Sequence, residues 1–268
     1  MGTFSSPFPP GVLATSTGTM SFEPVSARAA VVLLDGMESS FVDLDDPGHL
    51  EFEYMQQFDA AVHSVWGDGP VRALHLGGAA CSLARAWAHT RPGSRQIVVE
   101  WDALIAELAR EFCDIPRSPQ VRIRVAEARA SLEGFPAGRF DVVVRDTFAG
   151  GQVPDHLRTV QVARMARQVV SDGGLYCVNL TDHPPLTLAR QEVATLATCF
   201  PYLALIADPA ILRGRRYGNL VIIATSRPFD EADLIRRCRA LPLPVRVVLG
   251  QELESFAGTS AILHDPLP

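Results

Sequence analysis

The sequence predicts an α/β domain on a mostly parallel sheet with both faces covered, and three observations carry that expectation. Segments such as IVVE at 97–100 and FDVVV at 140–144 are almost continuously apolar, as strands buried on both faces are. Stretches with apolar residues at helical spacing alternate with them. The chain has 268 residues and is 47% hydrophobic, enough for one large domain with a small appendage.

In chain order, residues 1–20 (MGTFSSPFPPGVLATSTGTM) are rich in Pro, Ser, Thr and Gly and are expected to form a flexible arm. They lack the charged start and continuous apolar run of a signal peptide. Residues 21–50 are expected to form a small β unit. In it, apolar runs at 30–34 and 40–44 flank the turn signal Asp35-Gly36. A large Rossmann-like domain is expected over 51–268. It opens with a helix at 51–65, whose Phe52, Met55, Phe58, Ala61, Val62 and Val65 share one face, and which stops at Gly67-Asp68-Gly69-Pro70. Strands follow at 71–76, 96–100, 121–125, 140–146, 174–180, 203–207 and 219–225. Helices are predicted at 81–91, 103–113, 156–170, 186–199 and 229–240. The connection DPAILRGRRYG is too short and polar for a covering helix, so the last two strands are read as an antiparallel pair at the sheet edge. Seven strands with that ending form a Rossmann-like, class I methyltransferase-type fold.

Composition narrows the function. A net charge of −6 without any Lys/Arg-rich block argues against nucleic acid. No apolar run approaches the roughly 20 residues that cross a membrane. The five cysteines show no metal spacing, His156 and His183 lack partners, and four thiols sit in apolar surroundings; a cytoplasmic protein without a metal is expected. No serine stands in a GxSxG setting, so hydrolase chemistry has no support.

Candidate chemistry gathers at strand ends. Gly77 and Gly78 follow the first predicted strand of the large domain, and Glu100 ends the next one, 23 positions after Gly77. Glycines let backbone approach a ligand, and a carboxylate about 20 residues later can accept ribose hydroxyls. The alternative is a tight turn beside a solvated Glu. Glu127 can accept from an adenine amino group or cap the next helix. Asp146, at the end of FDVVVRD and before a Gly-rich loop, is the best catalytic or substrate-binding carboxylate; a turn or cap is its other reading. Arg213, Arg215, Arg216 and Tyr217 form a basic cluster that suits an acidic substrate or simply a solvated loop. His75 reads as a satisfied core histidine, and Asn179 as crevice-facing or as a turn cap.

The ordered set LLDG, EFEYM, strand-GG, VVEWD, AEAR, FDVVVRDTF and DGGLYCVNL resembles spermidine synthases, most closely their divergent actinobacterial relatives, over about residues 29–225. The resemblance implies an adenosyl sulfonium cofactor, a polyamine-type small-molecule substrate and a homodimer. It assigns Glu100 to the ribose and Glu127 to adenine, with Gly77, Gly78, Ala80, Trp101 and Ala128 completing the cofactor set. It makes Asp146 the base and places Tyr54, Thr147, Phe148, Arg216 and Tyr217 around the substrate. Three positions depart from the family pattern. The Asp that holds the aminopropyl ammonium is Ala80, the second loop Asp is Ala149, and Ser39 stands where Gln is expected. Losing a carboxylate that pairs with a ligand ammonium costs roughly 2–5 kcal/mol. Charge therefore favours intact S-adenosylmethionine over its decarboxylated form, with Arg85 or the helix N-terminus available to the carboxylate. Methyl transfer is the first expectation, aminopropyl transfer the second, and a non-catalytic nucleoside-binding relative the third.

Overall fold

A computed structural model describes residues 6–266. Two sheets organise it. The smaller has four antiparallel strands in the order β1 (Val12–Ala14), β2 (Thr19–Pro24), β3 (Ala29–Leu34) and β4 (Met37–Asp43). The β3–β4 hairpin matches the expected β unit. The expected arm differs: the consecutive apolar residues Val12–Ala14 pair with Thr19–Ser21 and extend the sheet edge. Residues 1–5 of that arm lie outside the described residues.

The larger sheet is built from β5 (Arg72–Leu76), β6 (Arg95–Glu100), β7 (Val121–Val125), β8 (Phe140–Arg145), β9 (Val170–Asp182), β10 (Tyr202–Ala207), β11 (Gly218–Thr225) and β12 (Arg246–Val248). Its strand order is β12-β10-β11-β9-β8-β5-β6-β7. The five strands β5 to β9 are parallel; β11 runs antiparallel to both β9 and β10. The antiparallel pair is therefore inside the sheet, and the unforeseen eighth strand β12 forms the edge. At three residues it is too short to announce itself by periodicity.

Successive strand residues serve opposite faces. Leu74, Leu76 and Val143 belong to one apolar cluster, under α4 (Ala128–Glu133), α5 (Val160–Val169), α6 (Thr187–Ala197) and α9 (Gly250–Ala257). Ala73, Val142 and Val144 belong to another, under α1 (Glu53–Trp66), α2 (Ser82–Thr90) and α8 (Glu231–Arg239). A third cluster joins the small sheet to α2, to β6 and to α3 (Ala103–Phe112). The short α7 (Pro209–Leu212) fills the β10–β11 connection. Two helix starts are capped by aspartates: Asp102 accepts from the amides of Leu104 and Ile105, and Asp230 from that of Asp233.

His75 sits on the α2 side, 4% exposed, and its Nε2 is 2.8 Å from Gln96 Oε1. Burial drives its pKa down to about 4, so it is a neutral core histidine. After α9 the chain runs back over α5 and α6. The Val160 amide donates to the Leu263 carbonyl (2.8 Å), the Leu263 amide to Thr195 Oγ1 (3.0 Å), and Arg129 holds the Asp265 carboxylate.

Candidate functional site

Parallel strands of an open α/β sheet end together, and ligands bind outside their carboxyl ends where strand order reverses. Here that point lies between β5, which leads into the Gly77-Gly78 turn, and β8, which leads into Asp146. The two turns touch. Gly77 has φ of +91°, and a Cβ on it would fall 2.1 Å from the Asp146 carbonyl oxygen; one on Gly78 would fall 2.6 Å from Val98 Cγ1. Both positions require glycine. Ala79 and Cys81 also hold positive φ, +42° and +59°. The turn thus keeps a glycine-rich backbone shape at two places where side chains have replaced glycine.

Asp146 is the centre of the constellation. Tyr54, carried by the first turn of α1, donates its hydroxyl to Oδ2 (2.9 Å). Asn179, inside β9, donates Nδ2 to Oδ1 (3.0 Å). Burial raises the Asp146 pKa above the ordinary carboxylate range, against the pull of those two bonds and of Arg145. Burial, reinforced by the adjacent carboxylate, pushes the Tyr54 hydroxyl well up, so it stays a donor. An ionised carboxylate only accepts, which fixes the Asn179 amide with its nitrogen toward Asp146. Its Oδ1 is buried without a partner, and so is the Thr147 hydroxyl. Unpaired buried polar atoms are costly, and with the raised-pKa carboxylate beside them they make this strand end the candidate site.

Glu100 is 6% exposed. Its Oε2 accepts from the amides of Gly78 (3.1 Å) and Ala79 (2.9 Å), and Oε1 from that of Asp102 (3.0 Å). Three of about four acceptor positions are filled, leaving one for a ligand hydroxyl. Trp101, the next residue, is 60% exposed, and Val125, paired across from Glu100, is 55% exposed. Glu127 caps α4 by accepting from the amides of Arg129 (2.9 Å) and Ala130 (2.7 Å), and His156 approaches it at 3.2 Å. Against burial, those amides hold its pKa low. Of its two readings the cap is the one realised here; Ala128, buried, opens the helix behind it.

Two expectations, for Ala80 and Arg85, meet a different arrangement. Ala80 is fully buried in the cluster that includes Met20, Val32 and Val42, and its amide faces Ser40 Oγ at 3.4 Å; the small sheet, not the crevice, lies against it. Arg85 points the same way: it donates to the carbonyls of Asp43 (2.7 Å) and Asp114 (3.4 Å), so it is no partner for a ligand carboxylate. Arg216 is tied to Asp208 at 2.7 Å. Phe148 and Tyr217 are exposed, on the two connections that flank the end of β9.

The sequence reading overlooked two arrangements. Arg145 and Arg158 grip opposite oxygens of Glu192 (2.7 and 2.9 Å), all three nearly or fully buried, and Arg145 also donates to the Leu157 and Asn179 carbonyls. This ties the end of β8 to β9 and α6 directly behind Asp146. Asp102, besides capping α3, accepts from the amides of Ser16 and Thr17 and from the Thr17 hydroxyl. Its N-cap role was visible in WDALIAE; its hold on the N-terminal segment was not.

With the geometry in place, known proteins supply a comparison. No family model matches the chain. The crystal structure of a probable spermidine synthase from Corynebacterium glutamicum is 33% identical, covers 96% of this chain and 97% of its own, and superposes with a TM-score of 0.90. The chain belongs to the spermidine synthase-like family. Polyamine aminopropyltransferase of Vibrio vulnificus is 27% identical over 167 residues, 61% of this chain and 54% of its own length. The chain spans about half the length of the curated relatives it matches. Human methyltransferase-like protein 13, crystallised with SAH, is 19% identical with a TM-score of 0.57, covering 77% of this chain and 92% of its own, and shows the shared class I methyltransferase-type fold. This family member has no helix, among the described residues, long and apolar enough to cross a membrane, and no group of residues there that could hold a metal ion.

Proposed function

We propose that the protein is a transferase that binds an adenosyl sulfonium donor over the Gly77-Gly78 turn and moves its methyl group to a small-molecule amine at Asp146. One observation carries the reading: the glycine turn and the hydrogen-bonded Asp146 are in direct backbone contact, so donor and acceptor positions adjoin. The remaining acceptor position of Glu100 suits a ribose hydroxyl, and the exposed faces of Trp101 and Val125 suit a nucleobase.

When bound, the donor supplies an electrophilic carbon on sulfur. The protein's part is placement and proton transfer. Tyr54 and Asn179 aim Asp146, and the Arg145–Glu192–Arg158 bridge fixes the strand ends beneath it. As the amine nitrogen bonds to carbon, the carbon–sulfur pair leaves with sulfur and the nitrogen's proton passes to Asp146. Its raised pKa suits it to that role.

The preference for methyl transfer rests on charge. Position 80, where the family pattern has the acid for the donor's ammonium, is an alanine buried against the small sheet, so a decarboxylated donor meets no carboxylate from it; position 149, where the pattern has an acid for the amine substrate, is alanine as well. Aminopropyl transfer is the second reading, favoured by the likeness to a probable spermidine synthase over nearly the whole chain. Calorimetry with S-adenosylmethionine, its decarboxylated form and methylthioadenosine decides between them. We expect S-adenosylmethionine to bind about tenfold or more tightly than the decarboxylated form, a difference of about 1.4 kcal/mol. The reverse preference overturns methyl transfer, and no binding by any of the three leaves a non-catalytic relative. A cytoplasmic homodimer completes the proposal, its subunit number measurable by light scattering.

A further inference from the structure

Building on that transferase reading, we infer that the acceptor is an amine with one basic nitrogen and an aromatic or apolar body, not a polyamine. The acceptor at this point is the Asp146 carboxylate, held by the Tyr54 hydroxyl and the Asn179 amide nitrogen. A carboxylate pairs with a protonated amine by charge as well as by hydrogen bond, which it cannot do with a neutral hydroxyl. The unpartnered Thr147 hydroxyl adapts to either role.

Around that point the chain offers apolar surface. Phe148 follows Thr147 directly and is 36% exposed. Its loop lies against β9, where Thr181 Oγ1 donates to the Gly151 carbonyl (3.2 Å), and Gly151 in turn faces the exposed Met37 of the β3–β4 hairpin. Tyr217, 58% exposed, precedes Gly218, which pairs with Asp182, three positions beyond Asn179 on β9. At the rise of an antiparallel strand that is about 10 Å from the Asn179 register, the span of an arylalkyl side chain.

The buried or strand-end acids around this point are already engaged. Asp182 accepts from the amides of His183 and Ala189, Glu192 is held by Arg145 and Arg158, Asp208 by Arg216, and Glu100 by three amides. Arg213 and Arg215, both exposed, border the Tyr217 side and repel a second positive charge. Glu38, exposed next to Met37, serves as the control.

Phenethylamine and tryptamine titrated against putrescine and spermidine, by calorimetry with and without saturating methylthioadenosine, test the inference. The arylalkylamines should bind about tenfold or more tightly than putrescine. Phe148→Ala and Tyr217→Ala should each weaken them several-fold while leaving methylthioadenosine binding intact, Asp146→Asn should remove amine binding, and Glu38→Gln should leave the ranking unchanged. Putrescine or spermidine binding as tightly as the arylalkylamines overturns the inference, as does indifference to both aromatic substitutions. Failure of methylthioadenosine to bind counts against the transferase reading alone, since the amine ranking is measured in its absence too.

Discussion

Replacing Ala80 by Asp restores the acid that the family pattern assigns to the donor's ammonium, yet the structure predicts a folding defect instead of a switched donor. Position 80 is 0% exposed inside an apolar cluster, and Arg85, one turn on, is already engaged by two carbonyls. A carboxyl there stays protonated in the folded state, so its pKa must rise from about 3.9 to above the working pH. At pH 7.5 that costs about 5 kcal/mol, at 1.36 kcal/mol per unit, and overpacking adds about 1–3 kcal/mol. The sum rivals the whole stability of a typical domain, about 5–15 kcal/mol. Because the folded pKa is raised, the electrostatic part is present at high pH and shrinks as pH falls toward the unfolded value, to about 1.5 kcal/mol at pH 5. Urea unfolding of Ala80→Asp at pH 5 and 7.5, with Ala80→Asn as the uncharged control, measures this directly. A variant as stable as the parent at pH 7.5 that now prefers the decarboxylated donor would show that position 80 faces the ligand and refute the reasoning.

Three further outcomes follow from other sites. His75 has a folded pKa of about 4 against about 6.5 unfolded, so the unfolded chain takes up a proton between those values that the folded chain refuses. Stability should fall by up to about 3 kcal/mol as pH drops through that window, and His75→Gln should flatten the slope in pH-dependent unfolding. Glu192→Gln leaves two buried guanidinium groups short of a charge and should cost about 3–5 kcal/mol in thermal unfolding; a loss below about 1 kcal/mol would mean that water already reaches the bridge. Ala79→Gly relieves a left-handed alanine and should stabilise by about 0.5–1 kcal/mol, checked by urea midpoint.

The strands from 72 to 225 were legible because each is an apolar run that must be buried on both faces, and burial depends on little beyond the run itself. β12 and α4 were not, since three to six residues carry too little periodicity to stand apart from loop. At the site, Asp146 was readable because a charge ending an apolar strand has few places to go but the crevice mouth. Glu127 remained ambiguous for the opposite reason: a carboxylate ahead of a helix caps it as readily as it meets a ligand. Position 80 was misread because alignment fixes where a residue stands along the turn but not which way the backbone aims it. The positive φ of Ala79 and Cys81 turns residue 80 toward the small sheet. The Arg145–Glu192–Arg158 bridge spans 47 positions between its first two members, and no local spacing encodes such a contact.

The clasp between Arg129 and Asp265 joins residues 136 positions apart. A chain made at about 5–20 residues per second has Arg129 in place roughly 7–27 s before its partner exists. Once Asp146 has followed, Gly77, Glu100 and Asp146 are all present, while the N-terminus of α4 beside Glu127 lacks its outer brace. A nascent chain stalled short of residue 265 would hold the strand ends of the candidate site before the start of α4 is secured. The order of synthesis, and not only the final packing, then sets when the candidate site is first complete.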